Sequence, residues 1–389
     1  MEAAAGGLLD ETHWVELKES LPPGNRGSNT ELAKDLASLA VDGGLFVVGV
    51  EDDDGRAGEV CGAALAGLAD RVGQVARDRV RPSLVVRCHE VPHPDRPGVG
   101  CLFVHVPPSS GAPHMVDNVY YGRTDKAKFP LNDERVREIL AARARGRADI
   151  SAELRQLAED DPFPEEERQF GHIYVVAQPE FGPDDALVGF LTGPDATRTI
   201  VTLLAQLDRG DDRWRHSPRS VTGLGGPSRR AEGLAVSSHY PEPKPRREQS
   251  LLEIVVREDG GIRLTCGQGT DEYRTYPGQE ELPQVLFPGL ALYLTQVTAS
   301  LAGRLGDQYA AYQGQWQIGL LQDRLRGAWP VDHFQTHGAV GSPYSRDTYE
   351  RATSASTEEL VNAPKAVAER VVARLLRALG VSDRYSSGG

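Results

Sequence analysis

The chain has 389 residues, of which 39% are hydrophobic and 25% are charged, and its formal net charge is −13. This length fits two domains, and the composition is that of an ordinary globular protein, which excludes a chain that is disordered throughout. The acidic balance excludes a general polyanion-coating protein, because non-specific affinity for nucleic acid comes from neutralising phosphates. Any nucleic-acid-binding surface must therefore be a local patch.

The cysteines and the apolar segments indicate a cytoplasmic protein. Cys61, Cys88, Cys101 and Cys266 form no CxxC pair, which predicts reduced thiols. The longest apolar run, residues 43–50, is far shorter than the ~20 residues that span a membrane. No basic and apolar leader of the secretory type opens the sequence. Abundant Arg, Ala, Gly and Asp beside few Lys indicate a GC-rich bacterial genome.

The overall prediction is an α+β protein whose residues 1–147 form an α/β domain with a mixed sheet. Apolar alternation predicts strands and 3.6-residue periodicity predicts helices. A helix that starts at Glu31 would be capped by Asn29 or Thr30. In chain order, the patterns predict a strand at 14–18, a helix at 31–40, a strand at 45–50, a helix at 63–80, strands at 84–91, 99–106 and 118–121, and a helix at 132–147.

A second α+β domain is predicted at residues 171–385. A helix is predicted at 150–157, and the acidic stretch broken by prolines at 159–167 that follows it predicts a linker over residues 148–170. The sequence does not indicate the function of the second domain, and a sensor or an oligomerisation module both remain open. Its predicted elements are strands at 172–177, 251–256, 262–266 and 316–320 and helices at 196–207, 288–305 and 366–379.

Three acids and one lysine near the start of the chain form a candidate site. Glu16 and Lys18 lie two residues apart on a strand and point to the same face. Asp52 follows the strand at 45–50, and Glu11 converges with Glu16 only if the backbone bends between them. Clustered carboxylates repel unless a cation neutralises them, and oxygen-only ligands suit Mg²⁺ or Mn²⁺. The alternative from spacing alone is a surface ion pair and a solvated acidic turn.

Basic and aromatic residues interleave at the end of the predicted strand at 118–121. This pattern predicts an edge that contacts phosphates and stacks on bases, and a solvated strand exit is the alternative. Lys34 would line the same groove as Lys18. The interleaved residues are Tyr120, Tyr121, Arg123, Lys126, Lys128 and Phe129.

The order of several short motifs resembles the Schlafen AlbA-like family over residues 10–141. The opening Glu11-Thr-His-Trp-Val-Glu-Leu-Lys18 is similar to the family motif of two glutamates five apart followed by an apolar residue and a lysine. Residues 32–52 resemble its helix, double glycine and acidic strand end. Residues 104–115 and 120–123 resemble its later strand and its Tyr-x-Arg segment.

The resemblance implies roles for the acids. In Schlafen ribonucleases, two glutamates and an aspartate form a metal-dependent cleavage site, so catalytic and metal-binding roles fall on Glu11, Glu16 and Asp52, and Lys18 contacts a phosphate. The implied activity is an endoribonuclease that cleaves structured RNA such as tRNA in bacterial antiviral defence or stress. Since Schlafen ribonucleases enclose RNA between two related lobes, the single lobe here implies a homodimer.

Two further readings stay open. Other family members are known only as DNA-binding modules, so a non-catalytic, nucleic-acid-binding regulatory protein is the first alternative. A protein-interaction scaffold is the second. Ala40–Gly44 also lacks the Asn-Thr pair that the family carries before its double glycine. The adjacent cysteines of the family's zinc site are missing as well, so no zinc is expected at Cys88, His89, Cys101 and His105.

Overall fold

The chain divides into two compact units, Met1–Arg147 and Ala148–Gly389. Lys126, the Arg-rich segment at 209–219 and the tail at 386–389 lie outside the residues that are described. The computed structural model describes residues 11–12, 14–109, 111–124, 127–146, 149–180, 185–208, 220–224, 226–274, 282–310, 312, 314–335 and 340–385.

The first unit is built on a mixed sheet. Strand β1 pairs parallel to β2, β2 pairs antiparallel to β7, and β5 and β6 both pair with β7. The elements of this unit are β1 Val15–Lys18, α1 Arg26–Leu39, β2 Gly44–Val48, β3 Asp52–Asp53, β4 Arg56–Ala57, β5 Ala63–Ala64, α2 Leu68–Arg79, β6 Arg87–Pro92, β7 Val99–Val106, β8 Met115–Val116, β9 Val119–Arg123, β10 Lys128–Pro130 and α3 Asp133–Gly146.

Helix α1 begins at Arg26, five residues before the predicted start. Asn25 and Ser28 form a capping box: the Asn25 side chain accepts from the Ser28 amide at 2.9 Å, and the Ser28 hydroxyl accepts from the Asn25 amide at 3.1 Å. The preceding Pro-Pro-Gly is typical of a turn, so the sequence pattern did not indicate that Asn25 caps a helix. The extra helical turn leaves Leu32 and Leu36 on the buried face, as the apolar spacing predicts.

Helix α2 begins later than predicted, at Leu68. Ala63 and Ala64 pair with β7 as the short strand β5, so they are not helical. The buried row Leu68, Val72 and Val75 packs into the same core as α1. The predicted helix is therefore confirmed over residues 68–79, and its predicted start at residue 63 is wrong.

Glycine at position 44 lets β1 approach β2 closely. A Cβ there would lie 2.5 Å from the carbonyl oxygen of Trp14, closer than real Cβ contacts come. The next residue, Leu45, donates its amide to that same carbonyl at 2.6 Å. The double glycine thus sets the parallel pairing that places Glu16 opposite Phe46 in register.

The second unit is built on a seven-stranded antiparallel sheet in the order β12-β13-β14-β15-β11-β18-β20. Its elements are α4 Ile150–Glu159, β11 Ile173–Pro179, α5 Val188–Leu191, α6 Ala196–Asp208, β12 Gly226–Arg230, β13 Gly233–Ser237, β14 Leu252–Arg257, β15 Ile262–Cys266, β16 Thr270–Glu272, β17 Gln284–Leu286, α7 Pro288–Gln308, β18 Gln315–Gln322, β19 Trp329–Pro330, α8 Asp332–Gln335, β20 Tyr349–Ser356, α9 Thr357–Asn362, α10 Pro364–Leu379 and α11 Ser382–Tyr385.

Helices cover both faces of this sheet. The long helix α7 packs on one face, in the main core of the unit. Helix α4 packs on the other face, where Ile150, Leu154 and Leu157 contact Tyr174 and Val176. Helix α4 confirms the helix predicted at 150–157, and its buried apolar row belongs to the second unit rather than to a linker. Within the described residues, no helix has both the length and the apolar character needed to cross a membrane.

Candidate active site

Glu16 is the buried centre of the candidate site. It lies on β1 with 7% of its surface exposed. One carboxylate oxygen, Oε1, is hydrogen-bonded to Lys18 Nζ, and the other, Oε2, lies 2.8 Å from a guanidinium nitrogen of Arg123. Both oxygens are therefore paired with cations. A buried carboxylate needs such neutralisation, because desolvation strongly disfavours an unpaired charge.

Arg123 lies behind the site and is almost completely buried. Its side chain, at the end of β9, is 3% exposed. The nitrogen that pairs with Glu16 also lies 3.3 Å from the Thr12 carbonyl oxygen and 3.4 Å from that of Val15. Its Nε and NH1 are buried without a hydrogen-bond partner. The sequence predicts a nucleic-acid contact here, whereas the geometry makes Arg123 a residue that positions Glu16 and the start of β1.

Glu11 reaches the site through a bend in the backbone. Thr12 and Val15 form an isolated antiparallel bridge, so the chain turns back between Glu11 and β1. Glu11 Oε1 accepts a hydrogen bond from the Leu17 amide at 3.1 Å. Two glutamates five residues apart can approach each other only if the backbone bends between them, and this bend is present here.

Asp52 lies on an exposed hairpin that contacts the Glu11 backbone. Its Oδ1 accepts from the Gly55 amide at 2.7 Å, and the Gly55 carbonyl accepts from the Glu11 amide at 2.9 Å. Strand β3, which carries Asp52, pairs with β4 in this hairpin. The Asp52–Gly55 turn is thus tied directly to residue 11, despite the missing Asn-Thr pair at Ala40–Gly44.

The charges of the neighbouring acids act on Glu11 and contribute to the shift of its pKa. Burial raises the pKa of Glu11 most, and the charges of Glu16 and Asp52 raise it further. The Leu17 amide and the charge of Lys18 lower the pKa of Glu11 without reversing the shift. A carboxyl whose ionised form is disfavoured by neighbouring carboxylates gains from any added cation.

A metal at this site would have two carboxylates available rather than three. Among the described residues, no three His, Cys, Asp or Glu side chains are grouped so that they could hold a metal ion. Glu16 is already paired with two cations, which leaves Glu11 and Asp52 as oxygen donors. Mg²⁺ is usually bound through one or two carboxylates together with water and substrate phosphates. Glu11 and Asp52 fit that arrangement.

Lys18 is the accessible cation of the site. Its side chain is 36% exposed. Burial lowers the pKa of Lys18, but the hydrogen bond to Glu16 and the charges of Glu16, Asp35 and Glu11 outweigh burial and raise the pKa overall. Lys18 is therefore a fixed positive charge that can contact an anion from solution.

Asp35 on α1 is a member of the cluster that sequence reasoning missed. It is 4% exposed, and Lys128 Nζ lies 2.6 Å from its Oδ1. Burial and the charge of Glu16 raise its pKa, and Lys128 opposes the shift. Glu31 bridges the predicted binding residues Lys34 and Lys128, at 2.8 Å and 3.1 Å. The available signal was a charged residue, Asp35, among the mostly apolar residues of the buried face of α1.

Cys88 and Cys101 pack into different cores of the first unit. Cys88 contacts the core that contains α1 and α2, whereas Cys101 lies in a smaller core with Leu17 and Val47. Burial, with the charges of Glu90 and Asp70, raises the pKa of Cys88 to about 11. A thiol with such a pKa behaves as a small apolar side chain.

The comparisons with known proteins identify the first unit. Residues 11–132 match the family model described as Schlafen, AlbA_2. The N-terminal unit contains a Schlafen AlbA_2 domain. A solved structure, the DIP2311 protein from Corynebacterium diphtheriae, is 20% identical over 35% of this chain and 26% of that chain, with a TM-score of 0.24. No curated protein matches.

Membership of this family connects the AlbA_2 domain to nucleic acids in general. The matched residues 11–132 include Glu11, Glu16, Lys18 and Asp52. They do not extend to the second unit, which starts at Ala148.

Outside the AlbA_2 domain, the second unit holds a buried polar cluster around His172. His172 is 0% exposed, and its Nδ1 lies 2.7 Å from Asp161 Oδ2. Tyr174 donates to the same oxygen at 2.8 Å, and Glu248 Oε2 lies 3.6 Å from His172 Nε2. Burial alone would lower the pKa of His172, but the hydrogen bonds to Asp161 and Glu248 and the nearby carboxylates raise it. Sequence reasoning missed this cluster because Asp161 lies in the segment predicted to be a linker and Glu248 is distant in the chain.

We expect the stability of the second unit to fall as pH rises above about 6.5, the ordinary pKa of histidine. The raised pKa of His172 stabilises the folded state fully below that value, and the contribution is lost as pH rises through the folded pKa. Urea unfolding followed by tryptophan fluorescence from pH 5 to 9 measures this slope, since three of the four tryptophans lie in the second unit. His172→Gln should flatten it, and His333→Gln, the control, should not. Equal slopes in all three proteins would contradict the assignment.

Proposed function

We propose that the AlbA_2 domain is a divalent-metal-dependent endoribonuclease that acts on structured RNA such as tRNA. The observation that supports this most is that Glu16, Asp52 and Lys18 all lie close enough to Glu11 for their charges to act on it. The nucleic-acid connection of the family supplies the substrate class. The overall charge of −13 restricts RNA contact to this local surface.

Lys18 would bind and orient a phosphate of the RNA backbone. It is held in place by Glu16, which is in turn fixed by Arg123 from the buried side. Because the Lys18 side chain is already held in place, it loses less conformational entropy when it binds a phosphate. Arg123 acts through Glu16 and does not need to touch RNA.

Glu11 and Asp52 would hold Mg²⁺ or Mn²⁺ together with phosphate oxygens. The bound ion would supply a water of lowered pKa and stabilise charge on the phosphodiester. The backbone amides of Leu17 and Gly55 orient these carboxylates, because each donates to one carboxylate oxygen. Glu11 also carries a raised pKa, which an added cation would bring down.

A second candidate is a non-catalytic module that binds RNA or DNA in a regulatory protein. The observation that favours it is the full pairing of Glu16 with Lys18 and Arg123, which takes one of the three family acids out of metal binding. Such a module binds with strong salt dependence and does not cleave.

Incubation of the purified full chain with total tRNA tests the proposal. We expect discrete tRNA fragments with Mn²⁺ or Mg²⁺ and intact tRNA with a chelator. Binding in a gel-shift assay without fragments under any metal condition would favour the non-catalytic module. Cleavage that continues in the chelator would contradict the metal-dependent proposal.

The same proposal includes the setting of the reaction. We propose a cytoplasmic homodimer whose two AlbA_2 domains enclose one RNA, acting in antiviral defence or stress. Sedimentation equilibrium of the full chain should give twice the mass of 42.2 kDa. A monomer at the concentrations that support cleavage would contradict the dimer.

A further inference from the structure

A partly open cavity of about 220 Å³ lies in the second unit, and we call it the α4-side cavity. It is on the sheet face that carries α4, since Val255 and Arg263 face each other in register between β14 and β15, on the side opposite the main core. Residues from α4, from β12, β14 and β15, from the turn between β12 and β13 and from two longer loops line it: Leu157, Asp160, Pro162, Arg230, Glu232, His239, Pro243, Glu253, Val255, Arg263 and Thr265.

Two residues of this lining have buried nitrogen atoms without a hydrogen-bond partner. His239 has a side chain that is 3% exposed, and its Nδ1 is unpaired. Arg263 has a side chain that is 11% exposed, and its Nε is unpaired. Buried polar atoms in folded proteins nearly always have partners, and a group bound in the cavity would satisfy both of these nitrogen atoms.

Both arginines at the cavity are already paired with carboxylates of the protein, and Asp160 adds a further acid to the lining. Arg230 pairs with Glu253 at 2.7 Å, and Arg263 pairs with Glu153 at 2.7 Å and Glu232 at 3.3 Å. An anion would meet these carboxylates and would find no uncompensated guanidinium. A neutral ligand avoids that repulsion and still accepts from the Arg263 Nε–H.

His239 complements such a ligand because it is itself neutral. Burial lowers its pKa, and the charge of Arg230 adds to this effect against the opposing charge of Glu253. A neutral imidazole nitrogen either donates or accepts a hydrogen bond, depending on the tautomer. The cavity therefore offers one fixed donor and one nitrogen that adapts to the ligand.

Four other lining residues are apolar and suit a flat ring, beside the polar Asp160 and Thr265. Leu157 and Val255 are 8% exposed, and Pro162 and Pro243 add rigid rings from the two loops. The volume of about 220 Å³ is below the ~300–1,000 Å³ of pockets that hold drug-sized ligands. One or two fused rings match this space, and a larger ligand would have to extend into solvent.

We propose that the α4-side cavity binds a neutral, planar, hydrogen-bonding heterocycle of the size of one nucleobase, with Arg263 and His239 reading its polar edge. This site lies in the second unit and does not depend on the proposed cleavage activity. The base can come from a free nucleoside or from a single strand, because both present the same ring.

Titration of the full chain with adenosine, guanosine, cytidine and uridine tests this proposal. We expect at least one nucleoside to bind saturably at or below about 1 mM by calorimetry, and inorganic phosphate not to compete. His239→Phe should weaken binding about tenfold, as expected for one buried hydrogen bond. Val255→Phe should fill the cavity and abolish binding. His333→Phe, the control, should bind as the wild type does.

Each outcome decides the proposal once circular dichroism shows that the variants are folded. Three results would overturn it. They are no nucleoside binding at 10 mM, wild-type affinity in both His239→Phe and Val255→Phe, and competition by phosphate. The corresponding tetranucleotides separate the two sources of the base. Tighter binding of a tetranucleotide assigns the site to a base within a strand, and weaker binding assigns it to a free nucleoside.

Discussion

Asp52→Asn is expected to lower the single-turnover rate of tRNA cleavage by about a hundredfold or more at a fixed Mn²⁺ concentration. The substitution removes the negative charge that would hold the metal. It keeps the side-chain oxygen that accepts from the Gly55 amide, so the turn beside Glu11 is preserved. Asp52 is exposed, and the stability of the domain should stay within about 0.5 kcal/mol. Rates measured with enzyme in excess over labelled tRNA report this change.

Asp53→Asn is the matched control for that prediction. Asp53 is the neighbouring exposed acid in the same short strand, opposite Arg56 in register. It should retain cleavage within about threefold, because a general loss of charge from the hairpin acts only through screened interactions. Equal losses in the two variants, or an active Asp52→Asn variant, would contradict the assignment of the metal to Asp52.

Arg123→Met is expected to destabilise the first unit by about 3–5 kcal/mol, the usual effect of removing one partner of a buried ion pair. Glu16 would keep Lys18 but lose its buried partner, and the carbonyls of Thr12 and Val15 would lose a donor. The free energy of unfolding from urea titration measures this effect. Cleavage should fall with it, because Glu16 and Lys18 would no longer be held.

Lys18→Met separates packing from phosphate contact. Lys18 is partly exposed, and Glu16 would retain Arg123, so the unfolding free energy should change by less than about 1 kcal/mol. RNA affinity should fall and its dependence on salt should become less steep, by the equivalent of one phosphate contact. Equal destabilisation by Lys18→Met and Arg123→Met would contradict the assignment of Arg123 to holding Glu16 and of Lys18 to contacting phosphate.

The elements with clear periodicity could be predicted from the sequence. The strand that carries Glu16 and the long helix α7 have the predicted type, with end points that differ by a few residues. The α+β class and the AlbA_2 identity of the first domain are confirmed. Local patterns sufficed there because each element buries a face that its own residue spacing defines.

Features that depend on distant partners could not be predicted. Arg123 has the sequence character of a surface residue, and only the fold shows that it is buried against Glu16, 107 positions away in the numbering. Strand β20, Tyr349–Ser356, is rich in small and polar residues and lacks the apolar alternation of a half-buried strand. In each case, tertiary packing overrides the local pattern.

Mn²⁺ binding by electron paramagnetic resonance, in the presence of a 2′-deoxy-substituted RNA that resists cleavage, tests the central claim most directly. We predict one bound Mn²⁺ per chain in the wild type, an affinity at least tenfold weaker in Asp52→Asn and Glu11→Gln, and no change in Asp53→Asn. Equal Mn²⁺ affinity in all four proteins would contradict a metal held by Glu11 and Asp52.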